Sequence, residues 1–80
     1  MQEYNVCTIA DEDIFRRQCK AIEKNIKPLK KEELLTDVDG TLIQKYYYGD
    51  SVIIVFCDVE ADGVYVKSDI ELKTFFRKAV

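Results

Sequence analysis

Side chains able to hold a metal or move a proton gather in one short stretch of this sequence. Asp37 and Asp39 lie two residues apart within Leu34–Tyr48, "LLTDVDGTLIQKYYY", and Gly40, Thr41 and Leu42 follow directly. Paired aspartates ahead of a glycine can be read as a metal-assisted phosphoryl-transfer signature. The same residues also contain Asp39-Gly40, a dipeptide suited to a two-residue type I′ hairpin turn. Other chemistry is sparsely supplied. Cys7, Cys19 and Cys57 are odd in number and widely spaced, with no Cys-x-x-Cys pair to suggest zinc or dithiol exchange. The chain has no histidine, so the usual base that activates a cysteine nucleophile is missing. A calcium loop counted from Asp37 would need a Glu at its twelfth position, where Tyr48 stands.

Asp37-Val38-Asp39-Gly40-Thr41-Leu42 resembles the first motif of the haloacid-dehalogenase superfamily, Asp-x-Asp-Gly-Thr-Leu/Val. The resemblance implies Asp37 as nucleophile, Asp39 as general acid/base and Mg²⁺ held by both. It also implies a motif at the end of a buried parallel strand in a doubly wound sheet, with further motifs supplying a Ser or Thr, a Lys and a distal acidic pair. The likeness covers these six residues. The preceding strand should be a strong apolar run, but Lys30-Lys31-Glu32-Glu33 comes before Leu34-Leu35. Downstream, strand follows strand at hairpin spacing with no crossover helix. In a two-residue turn Asp39 sits in the turn and Asp37 in the strand before it, so nothing makes them converge on one ion. The hairpin is therefore the preferred reading, with no catalytic residue, metal or cofactor expected.

The totals fit that reading. Eighty residues make at most one domain, here residues 1–80, with a thin core that a partner often completes. Composition is that of a globular protein, 48% hydrophobic and 34% charged. The net charge of −3 argues against binding nucleic acid through its phosphates. No apolar run is long enough to span a membrane, and Met1–Ala10 does not read as a signal peptide. Buried, reduced thiols and a cytoplasmic location are the expectation.

The elements that must position any site can be read from periodicity. Glu3–Ile9 alternates weakly, as a short first strand would. Ala10–Ile26 reads as a helix: Asp11 is the candidate N-cap, and Phe15, Cys19, Ile22 and Ile26 share one face. Pro28 helps to end it, and Leu29–Glu33 reads as a linker whose lysines form a solvated loop. Asp39-Gly40, Gly49-Asp50 and Asp62-Gly63 then punctuate β-rich runs at Glu33–Val38, Thr41–Tyr48, Ser51–Val59 and Val64–Lys67. Ser68–Val80 reads as a second helix, with Ser68 and Glu71 as a capping box and Leu72, Phe75, Phe76 and Ala79 on one face. The expected fold is α+β: a four-stranded antiparallel β-meander, five-stranded if the first segment joins, with an N-terminal and a C-terminal helix packed on the sheet.

Taking the turns literally sets the register, with Val38 opposite Thr41, Thr36 opposite Ile43, Tyr48 opposite Ser51 and Tyr46 opposite Ile53. One sheet face then carries Leu35, Leu42, Gln44, Tyr46, Tyr48, Ile53, Val55, Cys57, Val59, Val64 and Val66, and is assigned to the helices. The other carries Leu34, Thr36, Val38, Thr41, Ile43, Lys45, Tyr47, Val52, Ile54, Phe56, Asp58, Tyr65 and Lys67. Of these, Ile43, Lys45, Tyr47, Val52, Ile54, Phe56 and Tyr65 are the candidate interaction residues. An apolar patch with a polar rim marks an interaction surface. The functional expectation is a small protein-interaction or regulatory module, pairing with itself as a homodimer or with another protein. A small-ligand or nucleotide-binding domain is the alternative.

Overall fold

The computed structural model describes residues 2–73. Its single helix among those residues, α1, spans Glu12–Asn25. Asp11 caps it: the backbone there is extended, and Asp11 Oδ1 accepts from the N–H groups of Asp13 (2.9 Å) and Ile14 (3.3 Å). Acidic Glu12 and Asp13 sit in the first turn and Lys24 in the last, each favoured by the helix dipole. Phe15, Cys19, Ile22 and the capping Ile26 are buried, as their spacing predicts.

Six strands form one antiparallel sheet: β1 (Gln2–Cys7), β2 (Lys30–Lys31), β3 (Leu35–Thr36), β4 (Leu42–Tyr48), β5 (Ser51–Asp58) and β6 (Gly63–Ser68). The order across it is β1-β6-β5-β4-β2, and β3 also pairs with β4. The fold is thus α+β with a β4–β5–β6 meander at its centre, as expected. It has six strands rather than four or five, and one helix among the described residues. The N-terminal strand is real and pairs antiparallel with β6, with a bulge between Asn5 and Cys7.

Three local readings need correction. The stretch read as linker and then as one strand over Glu33–Val38 is two short strands. Lys30–Lys31 pairs with Tyr47–Tyr46, and Glu32 N–H then donates to the Lys45 carbonyl while Gln44 Nε2 donates to the Glu32 carbonyl. The edge of β4 offers backbone partners that outweigh the weak strand propensity of lysine. The Asp-Gly hairpin has three loop residues, not two. Gly40 N–H donates to the Asp37 carbonyl, Asp37 N–H donates to Thr41, and Gly40 holds φ at +92°. This is a turn followed by a bulged left-handed glycine. Thr36 therefore lies opposite Leu42 and Leu35 opposite Ile43. A one-residue slip exchanges faces, so Leu35 leaves the core side and is 56% exposed. Val59 is also exposed, because it lies in the loop beyond the last β5–β6 pair, Asp58 with Gly63.

Ser68 is the third correction. It ends β6, fully buried, and its hydroxyl both donates to the Ile70 carbonyl and accepts from the Ile70 N–H. Glu71, the expected capping-box partner, instead accepts from the Tyr4 hydroxyl and from Lys73 N–H. The rest of the expected C-terminal helix, residues 74–80, lies outside the described residues.

The second hairpin follows the sequence closely. Gly49 takes φ +62° at the first turn position, and Tyr48 faces Ser51 while Tyr46 faces Ile53. All the remaining pairs of β4 with β5 follow from this turn. Leu42, Gln44, Tyr46, Ile53, Val55, Cys57, Val64 and Val66 consequently point toward α1 and are buried. Together with the helix stripe and Leu72 they form the core.

Candidate interaction face

The opposite side of the sheet is built from the alternate residues of the same strands. Ile43, Lys45 and Tyr47 come from β4, Val52, Ile54 and Phe56 from β5, and Tyr65 and Lys67 from β6. All eight are half-buried. The register sets them in rows across the strands. Ile43 lies opposite Phe56 and Phe56 opposite Tyr65; Lys45 lies opposite Ile54 and Ile54 opposite Lys67; Tyr47 lies opposite Val52. Every residue expected on the interaction face, Ile43, Lys45, Tyr47, Val52, Ile54, Phe56 and Tyr65, is therefore on one continuous surface. Lys67 and Asp58 belong to it as well. Their place depends on the last hairpin, whose four-residue loop over Val59–Asp62 is stabilised by Asp58 Oδ1 accepting from Ala61 N–H and by Asp62 in a left-handed conformation (φ 53°).

Polar groups at the rim are tied down by tyrosines. Tyr65 and Phe56 stack with ring centroids 4.8 Å apart and 17° between planes. The Tyr65 hydroxyl donates to Asp58 Oδ2 at 3.0 Å. Burial, then the hydrogen bond to Asp58, pushes the Tyr65 phenol up to about 12. The Ala61 N–H, followed by the same hydroxyl, lowers Asp58. At the other rim the Tyr47 hydroxyl donates to Glu32 Oε1 at 3.1 Å, and that bond raises Tyr47.

The lysines differ. Glu3 is the cross-strand partner of Lys67, yet the ammonium lies over the rings of Phe56 (5.7 Å) and Tyr65 (5.9 Å). Among the described residues the ion pairs are Arg16–Glu12 and Lys31–Glu23, so neither Lys45 nor Lys67 has a carboxylate within 4.0 Å.

On the helix side, sequence reasoning missed a polar cluster. Tyr46, wholly buried, donates its hydroxyl to Glu23 Oε2 at 2.5 Å, and Lys31 Nζ lies 3.2 Å from the same oxygen. Burial and the carboxylate both drive the Tyr46 phenol far upward. Burial likewise raises the thiols of Cys19 and Cys57. The missed partner, Lys31, becomes visible only once β2 is seen to pair with β4. A cleft of about 450 Å³ opens beside this cluster, between α1 and the Lys31–Leu34 segment, with Phe15, Cys19 and Gln44 in its wall.

The paired aspartates sit at an exposed hairpin tip. Asp37 Oδ1 accepts from Val38 N–H (2.8 Å) and Asp39 Oδ1 from Thr41 N–H (2.9 Å), so both carboxylates organise their own loop. Thr41 is buried, and its hydroxyl oxygen accepts from Val59 N–H. The sheet around them is antiparallel, not the parallel sheet that the resemblance to the dehalogenase motif implies. Among the described residues no three His, Cys, Asp or Glu side chains are grouped to hold a metal, and no helix is long and apolar enough to cross a membrane. Comparison with known protein families, with curated proteins and with solved structures finds no match.

Proposed function

We propose that this protein is a small, non-enzymatic interaction module of the cytoplasm, acting through the sheet face that α1 leaves open. The observation that carries the reading is strand β5. Ile53, Val55 and Cys57 are buried under α1, while Val52, Ile54 and Phe56 on its other side are equally apolar and only half-covered. A strand apolar on both sides is one that expects burial on both. The open patch is roughly 26 Å long, taking ~3.3 Å for each residue of β5, and roughly 19 Å wide across five strands. That footprint, about 500 Å², lies below the ~800 Å² per partner of a standard interface and in the range of a weak or transient contact. Covering it stabilises a complex by about 25 cal/mol per Å² of apolar surface, less the cost of association. The partner is a polypeptide, another copy or a different protein.

A photoreactive residue in place of Tyr47 tests this in the cells that make the protein. Light-dependent adducts to protein are expected at position 47 and not at exposed Val59, and adduct mass distinguishes self from another chain. Equal or absent labelling at the two positions removes the proposal. A small-ligand site is the second reading, favoured by the cleft beside α1; a ligand there would shift the amides of Phe15, Cys19 and Gln44 and leave labelling at position 47 unchanged.

A further inference from the structure

We propose that the open face receives an acidic amphipathic helix of a partner protein, laid along β5 with its apolar stripe on Val52, Ile54 and Phe56 and carboxylates on both flanks reaching Lys45 and Lys67. The inference rests on the reading that this face binds protein, and it names the chemistry of the partner.

Lys45, Ile54 and Lys67 form one row across β4, β5 and β6. Each lysine stands one strand spacing from β5, so the two are roughly 10 Å apart at their backbones. An α-helix with its side chains is ~10–12 Å across. The lysines therefore bracket a strip of helical width whose floor is the apolar side of β5. Neither has a carboxylate within ion-pair distance among the described residues. The nearby acids are engaged at the rim, Asp58 by Tyr65 and Glu32 by Tyr47, and the Lys67 ammonium turns to the aromatic rings although Glu3 lies opposite. Lys45 and Lys67 are thus the cations on either side of Ile54, with Glu32 and Glu3 beyond them toward the rim.

That charge pattern disfavours a second copy as the occupant. A two-fold axis running along β5 sets Lys45 of one copy over Lys67 of the other. An axis running across the strands at the lysine row sets each lysine over its own counterpart. Both arrangements oppose like charges in a desolvated interface, and such juxtaposition selects against a partner. A helix flanked by Glu or Asp meets the same lysines with opposite charge. α1 shows that the strand accepts such an element, since its own apolar stripe packs against the other side of β5. A partner helix would complete a three-layer arrangement, and about 17 residues of it would span β5 at ~1.5 Å per residue.

The test is an amide NMR titration of the full chain with two helical peptides that share a leucine stripe, one flanked by glutamates and one by lysines. The glutamate peptide is expected to bind saturably, shifting the amides of Lys45, Val52, Ile54, Phe56 and Lys67. The lysine peptide should bind at least about tenfold more weakly. A Lys45→Glu/Lys67→Glu variant, shown by circular dichroism to be folded, should reverse that preference. Equal affinity for both peptides, shifts confined to the α1 side, no saturable binding, or capture of a single-stranded oligonucleotide in place of the peptides each overturns the proposal. Concentration-dependent shifts of the same amides without peptide would mean that a second copy covers the face: the helix assignment then fails while the interaction reading stands. An absence of adducts at position 47 defeats the interaction reading itself.

Discussion

Ile53 and Ile54 are neighbours on β5, identical in type and opposite in face, so replacing each with alanine measures what covers the two sides of the sheet. Ile53 is fully buried under α1 and Ile54 half-buried on the open face. Truncating a fully buried isoleucine removes its transfer energy and leaves a cavity, about 3–5 kcal/mol at a site as tightly enclosed as this one. At Ile54 only part of the side chain is out of water and no closed cavity forms. The loss there is about 1 kcal/mol, roughly half of the ~1.5–3 kcal/mol for full burial. The change in strand propensity is common to both and cancels in the comparison. A domain of this length has about 4–12 kcal/mol of stability in total, so Ile53→Ala sits near the limit of folding and Ile54→Ala well within it. Urea denaturation followed by circular dichroism reads both. With a slope of ~1 kcal/mol per molar urea, the midpoints fall by about 3 M or more and about 1 M respectively. Equal losses that persist on dilution refute the reasoning, because they place a cover over Ile54 within the chain itself. Equal losses that separate on dilution locate that cover in another molecule.

Tyr46→Phe should cost about 1–2 kcal/mol, the low end for a hydrogen bond to a charged acceptor, because Glu23 keeps Lys31 and is 38% exposed; a double-mutant cycle with Glu23→Gln that shows no coupling rejects that pairing. In an alkaline titration followed by phenolate absorbance, the native protein should ionise fewer than its five tyrosines before it unfolds. Tyr65, at about 12, and Tyr46, raised further by burial, stay protonated in the native state after their unfolded counterparts ionise near ~10, so stability falls as pH rises past that value. Uniform ionisation of all five with the fold intact contradicts this. Gly40→Val should destabilise by about 1–2 kcal/mol, because φ +92° is strained for any side chain although a Cβ there has room, with Val59 Cγ2 at 3.8 Å. Native thiol titration should find Cys7 fastest and buried Cys19 and Cys57 slow until denaturation; fast reaction of all three contradicts the burial.

Where a signal was local, the sequence carried it through to structure. Asp11, the acidic first turn and the +4, +3, +4 spacing of Phe15, Cys19, Ile22 and Ile26 define α1 without tertiary help. Gly49 fixes the β4–β5 register because a two-residue turn leaves no freedom, and with it the face of every residue from Leu42 to Cys57. Asp39-Gly40 was a weaker guide. The dipeptide serves a two-residue turn and a three-residue loop with a bulged glycine alike, and the choice between them moved Leu35 from one face to the other. Lys30–Lys31 was illegible as strand because nothing local favours it. Its pairing exists because β4 had an unfilled edge and Gln44 could hold the Glu32 carbonyl.

The open sheet face was legible as a pattern and not as a function, and β5 explains the difference. Its unbroken run of Val, Ile, Phe and Cys states that both sides prefer to be dry, but a hydrophobic run is silent about which chain dries them. Charge supplies what hydrophobicity omits. Tyr65 and Tyr47 hydrogen-bond the carboxylates of Asp58 and Glu32 at the rim, whereas Lys45 and Lys67 have no carboxylate in ion-pair range among the described residues. Those pairings join residues 7 and 15 positions apart in sequence, so they emerge only when the register is known. Once they are drawn, the face has an apolar centre line with a cation on each side. Its complement is an apolar stripe between acids, a pattern that a helix presents at a spacing matching the two lysines.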